Sequence, residues 1–206
     1  LKVAEGAKKH SLMIKEYHQK YFGNVEVTNI VDLGANIGLY SCNLCELFPL
    51  SSVYCFEPSK ANFSYLERNV IKNKIKNAKL LNVGIGDVNK KETKEIYYNP
   101  NKSENTGLYS FHHVDGFEKI EDCDIAPLSD YFPNYFSKVE IVKMDIEGCE
   151  KEVLLANESF FKQCNLVFME QNKSYFHEDE LEFIMKKYGF KEVYFDNRNN
   201  HMWIKQ

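Results

Sequence analysis

Acidic residues stand at the ends of several apolar runs in this chain. Four of these runs read as buried strands, and their last residues are Asp32, Glu57, Asp145 and Glu170. Asp87 lies in the loop after a further run. In an open α/β sheet, ligands bind beyond the carboxyl ends of the strands, where a carboxylate can accept hydrogen bonds or take a proton from a reacting group. The pattern therefore predicts that these acids line one rim of a ligand-binding site.

A small-residue loop follows the first of these acids. Residues 30–38 read IVDLGANIG, an apolar strand that runs into a turn and then a helix. Gly34 and Gly38 let the backbone turn sharply and approach a ligand, and Asn36 tolerates left-handed geometry better than other non-glycine residues. Dinucleotide-binding loops have the spacing G-x-G-x-x-G and hold a pyrophosphate. The spacing here is D-x-G-x-N-x-G, which favours a nucleotide cofactor without a pyrophosphate.

The next two acids suit an adenosine moiety. Glu57 follows Asp32 by about one βαβ repeat, so the two carboxylates are expected at neighbouring strand ends. A carboxylate in the position of Glu57 can accept hydrogen bonds from both ribose hydroxyls. Asp87 is placed to meet the adenine edge, or alternatively serves only as a turn-forming residue in the sequence GDVN.

A second acidic motif, DIEGCE, occupies residues 145–150 at the end of the fourth strand. Asp145 and Glu147 are alternate residues and are expected on a similar side of the chain. Gly148 lets the backbone turn before the following helix. Glu150 is interpreted as a partner of that helix's dipole.

Strands and helices alternate along the chain, which predicts a parallel sheet. The predicted strands are residues 28–33, 53–56, 79–83, 140–145 and 165–170. Helices are predicted over residues 4–22, 37–48, 150–156 and 178–188, with another that Ser59 caps. The first helix is expected to bury a stripe made of Leu12, Ile14, Tyr17 and Tyr21. Residues 190–195 and 201–204 read as a terminal antiparallel hairpin.

Residues 90–126 interrupt this alternation and read as an inserted hairpin, made of residues 95–98 and 108–111. Its aromatic residues and histidines are expected to form a substrate wall or, alternatively, the small core of the insertion itself. They are Tyr97, Tyr98, Tyr109, Phe111, His112 and His113.

The composition fits a single globular domain over residues 1–206, led by a helical segment at residues 1–27. A net charge of -4 argues against a nucleic-acid partner. No apolar run is long enough to span a membrane, and the first residues lack a signal-peptide core, so a cytoplasmic location is expected. Six scattered cysteines are expected to be reduced and mostly buried, including the C-x-x-C of Cys42 and Cys45.

Three motifs together resemble the FkbM family of S-adenosylmethionine-dependent methyltransferases. Its members show V-D-x-G-A-N-x-G, then F-E-P, then K-x-D-x-E-G-x-E; this chain has VDLGANIG at residues 31–38, FEP at 56–58 and KMDIEGCE at 143–150. Order and spacing match over residues 28–172, and Cys149 stands where alanine is common. Residues 1–27 and 175–206 lie outside the motif-bearing region.

The resemblance implies a Rossmann-like class I methyltransferase fold: a mostly parallel seven-stranded sheet with helices on both faces. It also implies methyl transfer from S-adenosylmethionine to oxygen, often on a sugar or polyketide, so a small-molecule or glycan acceptor is expected. The candidate cofactor-binding residues are Asp32, Gly34, Ala35, Asn36, Gly38, Glu57, Pro58, Asp87 and Asp145, the last near the methionine end.

Methyl transfer to a neutral hydroxyl needs a group that removes its proton. The candidate catalytic residues, in falling order, are Asp145, Glu147 and Glu170, with His177 as a further possibility or a helix-capping residue. Asp145 and Glu147 could alternatively bind magnesium, although no metal site is predicted. Methylation of a nucleic-acid base is disfavoured because no N-P-P-Y follows the fourth strand. The alternative functions are a nicotinamide-dependent oxidoreductase and a cofactor-binding module without catalysis.

Overall fold

The structure is a computed structural model that describes residues 2–98, 109–110, 116–134 and 138–206. Its helices are α1 (Lys2–Phe22), α2 (Leu39–Leu47), α3 (Lys60–Lys72), α4 (Glu150–Ala156), α5 (Glu158–Phe161) and α6 (Glu178–Lys187). Its strands are β1 (Asn29–Leu33), β2 (Ser52–Phe56), β3 (Ala78–Leu81), β4 (Gly84–Ile85), β5 (Glu92–Tyr98), β6 (Tyr109–Ser110), β7 (Glu118–Ala126), β8 (Ile141–Met144), β9 (Leu166–Glu170), β10 (Phe190–Phe195) and β11 (Asn200–Lys205).

Seven strands form the main sheet, in the order β10-β11-β9-β8-β1-β2-β3. Five of them pair in parallel, and β11 runs antiparallel to both β9 and β10. The chain moves outward from β1 to β3 and then returns to β8 on the other side of β1. This reversal places a topological switch point between β1 and β8, where α/β sheets bind their ligands.

Helices cover both faces of this sheet. Ile30 belongs to a core that includes residues of α1, α2 and α3, whereas the neighbouring Val31 belongs to a core that includes residues of α4, α5 and α6. Successive strand residues point to opposite faces, so β1 is covered on both sides, and Asp32 is buried together with its apolar neighbours. This architecture confirms the predicted class I methyltransferase fold with a terminal antiparallel hairpin.

The inserted region differs from the predicted hairpin. β5 pairs along its whole length with β7, which is not among the predicted strands, and within the described residues of the insertion Tyr97 and Tyr98 pair with β6. β4, expected as part of a loop, pairs in parallel with the end of β7, so a second sheet has the order β4-β7-β5-β6. The sequence of β7, EKIEDCDIA, is mostly polar because only its last residues and Cys123 are buried, which hides its strand character.

The predicted substrate wall remains a prediction. Phe111, His112 and His113 lie outside the described residues. Within the described part of the insertion, a small core forms around Ile96, Cys123 and Ile125.

The buried stripe of α1 also differs from the predicted one. Leu12 and Tyr21 are each 41% exposed, whereas Ile14 is fully buried. The buried residues follow helical spacing but include polar types: Ala7, His10, Ser11, Ile14 and His18. Two of the polar side chains in this stripe have hydrogen-bond partners: Ser11 donates to the Ala7 carbonyl at 2.8 Å, and the His10 ring bonds to the Tyr40 hydroxyl at 2.8 Å. The spacing of hydrophobic residues alone does not predict that these polar side chains are buried.

The cysteines are free thiols, and four of the six are buried. Burial raises the pKa of Cys42 to about 11 and that of Cys45 to about 12. The C-x-x-C inside α2 is therefore protonated at neutral pH and packs as apolar side chains do. Among the described residues, no helix combines the length and the apolar character needed to cross a membrane.

The stripe of α1 gives a direct test of this packing. Ile14→Ala removes a fully buried side chain and should lower the free energy of unfolding by about 2–5 kcal/mol. Leu12→Ala, two residues away on the exposed side, should change it by no more than about 0.5 kcal/mol. Urea denaturation followed by circular dichroism measures both. Equal losses in the two variants would show that α1 is packed differently.

Candidate active site

The loop after β1 is tightly constrained by its neighbours. Gly34, Asn36 and Gly38 adopt left-handed φ values of 77°, 50° and 89°. The backbone N–H groups of Gly34 and Ala35 both donate to the Phe56 carbonyl at the end of β2, at 3.0 and 2.9 Å. A Cβ added to Gly34 would lie 1.8 Å from the Asp145 carbonyl oxygen. The ends of β1, β2 and β8 thus meet at this loop, and only glycine fits at position 34.

Glu57 faces this loop from the end of β2. One carboxylate oxygen accepts the backbone N–H of Asn36 at 2.7 Å, and the other accepts that of Ser59 at 2.9 Å. The residue is 4% exposed, and burial raises the pKa of its carboxyl to about 7 although both hydrogen bonds oppose the rise. Each oxygen accepts one of these two bonds, and a carboxylate oxygen has two lone pairs. Glu57 is therefore held in place with acceptor capacity left for hydroxyl groups.

Asp32 lies behind the loop and has no exposed surface. Ser41 of α2 donates to its carboxylate at 2.6 Å, and the Lys143 ammonium lies 3.1 Å from it. The structure therefore brings Asp32 to the predicted strand end but directs its carboxylate into the protein. Support of the loop, rather than direct contact with a cofactor, is the role that this placement favours.

Lys143 opens the third shared motif, KMDIEGCE, but the sequence analysis assigned it no role. Its side chain is buried in β8, and its ammonium donates to the Gly34 carbonyl at 2.6 Å. The same nitrogen lies 3.9 Å from the Asp145 carboxylate and 5.1 Å from the centre of the Tyr40 ring. A lysine inside the otherwise apolar strand IVKM was the available signal, because an isolated buried ammonium is costly unless it has partners.

The three candidate catalytic acids lie close enough at the rim for the charge of one to shift the pKa of another. Glu147 has the left-handed φ of 53°, and burial, followed by the charges of Asp145 and Glu170, raises its pKa to about 9. Burial and Asp145 likewise raise the pKa of Glu170 to about 7. Burial also raises the pKa of Asp145, although Lys143 opposes that shift. The rim thus holds carboxyl groups that bind protons unusually well.

Glu150 stabilises the turn that carries Glu147. Its carboxylate accepts the backbone N–H groups of Gly148 at 3.1 Å and Ile146 at 3.2 Å. Burial raises the pKa of Glu150 to about 7. Gly148 has a φ of 106°, and a Cβ there would lie 2.6 Å from the Tyr175 ring. Glu150, interpreted from the sequence as a dipole partner, thus also fixes the preceding loop.

Other predicted residues lie at the margin of this site. Pro58 packs toward β4, where a Cβ on Gly84 would be 3.2 Å from its own Cβ. Asp87 is exposed after β4, and its predicted contact with adenine stays a prediction. His177 is the N-cap residue of α6, and its backbone N–H donates to Glu180 at 3.4 Å. Across the described ranges, no three His, Cys, Asp or Glu side chains converge as a metal site.

Comparison with known proteins gives a family match. Residues 32–192 match the sequence profile described as Methyltransferase FkbM domain. "Methyltransferase 1" of Beauveria bassiana (strain ARSEF 2860) is 27% identical over 143 residues, which cover 61% of this chain and 56% of that protein. "Methyltransferase sdnD" of Sordaria araneosa is 27% identical over 154 residues, covering 61% and 58%. The chain thus spans less than two thirds of the curated relatives that it matches.

Solved structures share the fold at low sequence identity. Magnesium protoporphyrin IX methyltransferase from Synechocystis PCC 6803 with bound SAM has a TM-score of 0.57 at 10% identity, covering 99% of this chain and 81% of that one. A putative caffeoyl-CoA O-methyltransferase from Staphylococcus aureus has a TM-score of 0.56 at 11% identity, covering 96% and 83%.

The packing of the loop predicts a sharp difference between two left-handed glycines. Gly34→Ala places a methyl group against backbone atoms and should lower the free energy of unfolding by about 3 kcal/mol or more. Gly23→Ala has nothing within 4 Å of the added Cβ, so it should cost only the conformational strain of about 1–2 kcal/mol. Chemical denaturation measures both variants. Similar losses would contradict the close approach of β1 and β8.

The raised pKa of Glu150 predicts a pH-dependent stability. Between its usual pKa and about 7, the folded protein binds more protons than the unfolded chain, so this group's contribution to stability falls as pH rises. Glu150→Gln removes the titration but keeps an acceptor oxygen. Unfolding in urea from about pH 5 to 8 should therefore show a wild-type loss larger than that of the variant, by on the order of 2 kcal/mol. Parallel pH profiles would contradict the shift.

Proposed function

Because this chain belongs to the FkbM family of methyltransferases, we propose that it transfers the methyl group of S-adenosylmethionine to a hydroxyl oxygen of a sugar, glycan or polyketide-like small molecule. S-adenosylmethionine is the cofactor. The observation that carries the proposal of a hydroxyl acceptor is the placement of Asp145 and Glu147 directly after β8 and of Glu170 at the end of the adjacent β9, on the same edge of the sheet as the loop that follows β1. A hydroxyl is a poor nucleophile until a base takes its proton.

The described residues fit this cofactor. Glu57 is fixed by two backbone donors and keeps lone pairs for ribose hydroxyls. The left-handed loop at Gly34, Asn36 and Gly38 leaves its backbone close to the ends of β1 and β2. The Asp145 side chain is 31% exposed, so its carboxylate can meet the charged methionine end. Glu57 and Asp145 are the groups that we assign to binding.

The cofactor supplies an activated methyl group on a sulfonium, and methyl transfer needs an in-line attack on that carbon. What remains for the protein is to align the acceptor and to remove its proton. Among the three acids, Asp145 has Lys143 at 3.9 Å and lies next to the loop. Glu147 lies in the turn directly after β8, and burial together with the charges of Asp145 and Glu170 raises its pKa to about 9. We therefore assign Glu147 as the general base and Glu170 as its second candidate.

Charge links cofactor binding to the readiness of this base. The raised pKa of Glu147 comes from burial and from the like charges of Asp145 and Glu170. A nearby positive charge favours the ionised form of a carboxyl. A sulfonium bound beside this rim would therefore favour the ionised form of Glu147, which is the form that can accept a proton.

The other candidate functions have less support. A nicotinamide-dependent oxidoreductase is not favoured by the family match or by the loop spacing D-x-G-x-N-x-G. A binding module without catalysis would have no need for acids after β8, yet Asp145 and Glu147 are both present.

Binding measurements test the cofactor assignment. Isothermal titration calorimetry should detect S-adenosylmethionine and its demethylated product but not NAD. Glu57→Ala should weaken binding of both by about tenfold or more, because the hydroxyl acceptors are lost. Tight binding of NAD with no response to the other two would overturn the proposed function.

Turnover measurements test the base. Glu147→Gln keeps the shape of the side chain but cannot accept a proton, so kcat should fall by about 10²–10⁴-fold. The dissociation constant of S-adenosylmethionine should change much less than kcat. Glu152→Gln, on the exposed side of α4, is the matched control and should retain wild-type turnover. The assay measures methyl incorporation into a panel of sugar nucleotides and glycans; undiminished turnover of Glu147→Gln on a methylated acceptor would remove the assigned role.

A further inference from the structure

A lysine in the middle of a parallel sheet is the least expected charge in this protein. Lys143 lies between Val142 and Met144 in β8, and all three side chains are buried. Removing an ammonium from water is costly unless charged and hydrogen-bonding partners replace the water. The contacts of Lys143 therefore show which groups its buried charge holds in place.

These contacts join the ends of adjacent strands. The ammonium lies 3.1 Å from the Asp32 carboxylate of β1 and donates to the Gly34 carbonyl at 2.6 Å. The carboxylate of Asp145, the residue directly after β8, lies 3.9 Å from the same ammonium. The Tyr40 ring, from the first turn of α2, faces the same nitrogen at 5.1 Å. One cation thus contacts β1, the loop, α2 and the rim acid that follows β8.

The loop peptide is held from two sides as a result. Its N–H groups at Gly34 and Ala35 donate to the Phe56 carbonyl of β2. Its Gly34 carbonyl accepts from Lys143 of β8. Without Lys143, the loop keeps its hydrogen bonds to β2 and loses the hydrogen bond from the β8 side chain to the Gly34 carbonyl, and Asp145 loses the cation at 3.9 Å.

We propose that Lys143 is the positioning residue of this site: its buried ammonium fixes the Gly34 carbonyl and the Asp145 carboxylate in the arrangement that binds S-adenosylmethionine. The inference rests on the proposed role of this loop in holding the cofactor. Lys143 acts through the loop and Asp145, since its own side chain is buried.

The test uses a paired substitution because a single one confounds two effects. Lys143→Met alone leaves Asp32 as a buried charge without its cation, which destabilises folding. The double variant Asp32→Asn/Lys143→Met removes both charges with little change in volume and is expected to fold, as checked by circular dichroism and thermal melting. Calorimetry should show that this variant binds S-adenosylmethionine about tenfold more weakly or worse than the wild type.

The same two strands offer a matched control at their opposite end. Lys138 pairs with the buried Glu140 at 2.9 Å, and Glu140 also accepts the backbone N–H groups of Thr28 and Asn29 at 3.0 Å each. Lys138→Met/Glu140→Gln removes this pair far along the strands from the loop. It should lower the melting temperature but leave the affinity for S-adenosylmethionine within about twofold of the wild type.

Hydrogen exchange adds a measurement that needs no ligand. In the cofactor-free protein, exchange of a peptide covering residues 33–39 should be faster in Asp32→Asn/Lys143→Met and unchanged in Lys138→Met/Glu140→Gln. Wild-type affinity, or wild-type exchange of this peptide, in the folded Asp32→Asn/Lys143→Met variant would overturn the positioning role. If the wild type itself binds no S-adenosylmethionine, the proposed function fails, and the exchange comparison still decides whether Lys143 positions the loop.

Discussion

The ion pair between Asp32 and Lys143 is the interaction on which the site depends. It joins β1 to β8 at the switch point of the sheet, and its two members are buried. Ser41 extends the connection to α2 through the Asp32 carboxylate. A buried pair is weak support for stability, because apolar residues of similar volume often do as well. Its value here is geometric, since it fixes where the loop backbone lies relative to the acid after β8.

The pairing of Lys143 with Asp32 determines how much positive charge is left to balance the acids at the rim. Asp145, Glu147 and Glu170 share the neighbourhood of one cation that is already paired more closely elsewhere. Burial and mutual repulsion raise the pKa values of these carboxyl groups. Such a rim is complementary to a sulfonium cation, and the same repulsion makes its acids stronger proton acceptors. In the function that we propose, binding and proton removal would therefore depend on one arrangement of charge.

Segments outside the shared motifs complete the surroundings of this site. α1 and the terminal hairpin meet where the His10 ring lies 3.4 Å from the Asp196 carboxylate, and His10 also bonds to Tyr40 of the first turn of α2. The second sheet reaches the start of α3 through Glu121, which accepts from the Ser59 hydroxyl at 2.7 Å. Ser59 in turn donates its backbone N–H to Glu57. α1 and the second sheet thus each contact a residue close to the loop that follows β1.

The sequence by itself determined the alternation of strands and helices, the left-handed loop and the acids at the strand ends. These follow from local properties: apolar runs, glycine and asparagine at turns, and the spacing of one βαβ repeat. It did not reveal β7, whose strand is largely polar, or the buried histidines of α1, because their burial depends on partners distant in the chain. Only the tertiary structure showed that Asp32 points inward to Lys143 while Glu147 remains at the rim. Local patterns predict that an acid stands at a strand end. The direction of its carboxylate depends on the charged residue of the neighbouring strand, here Lys143 of β8.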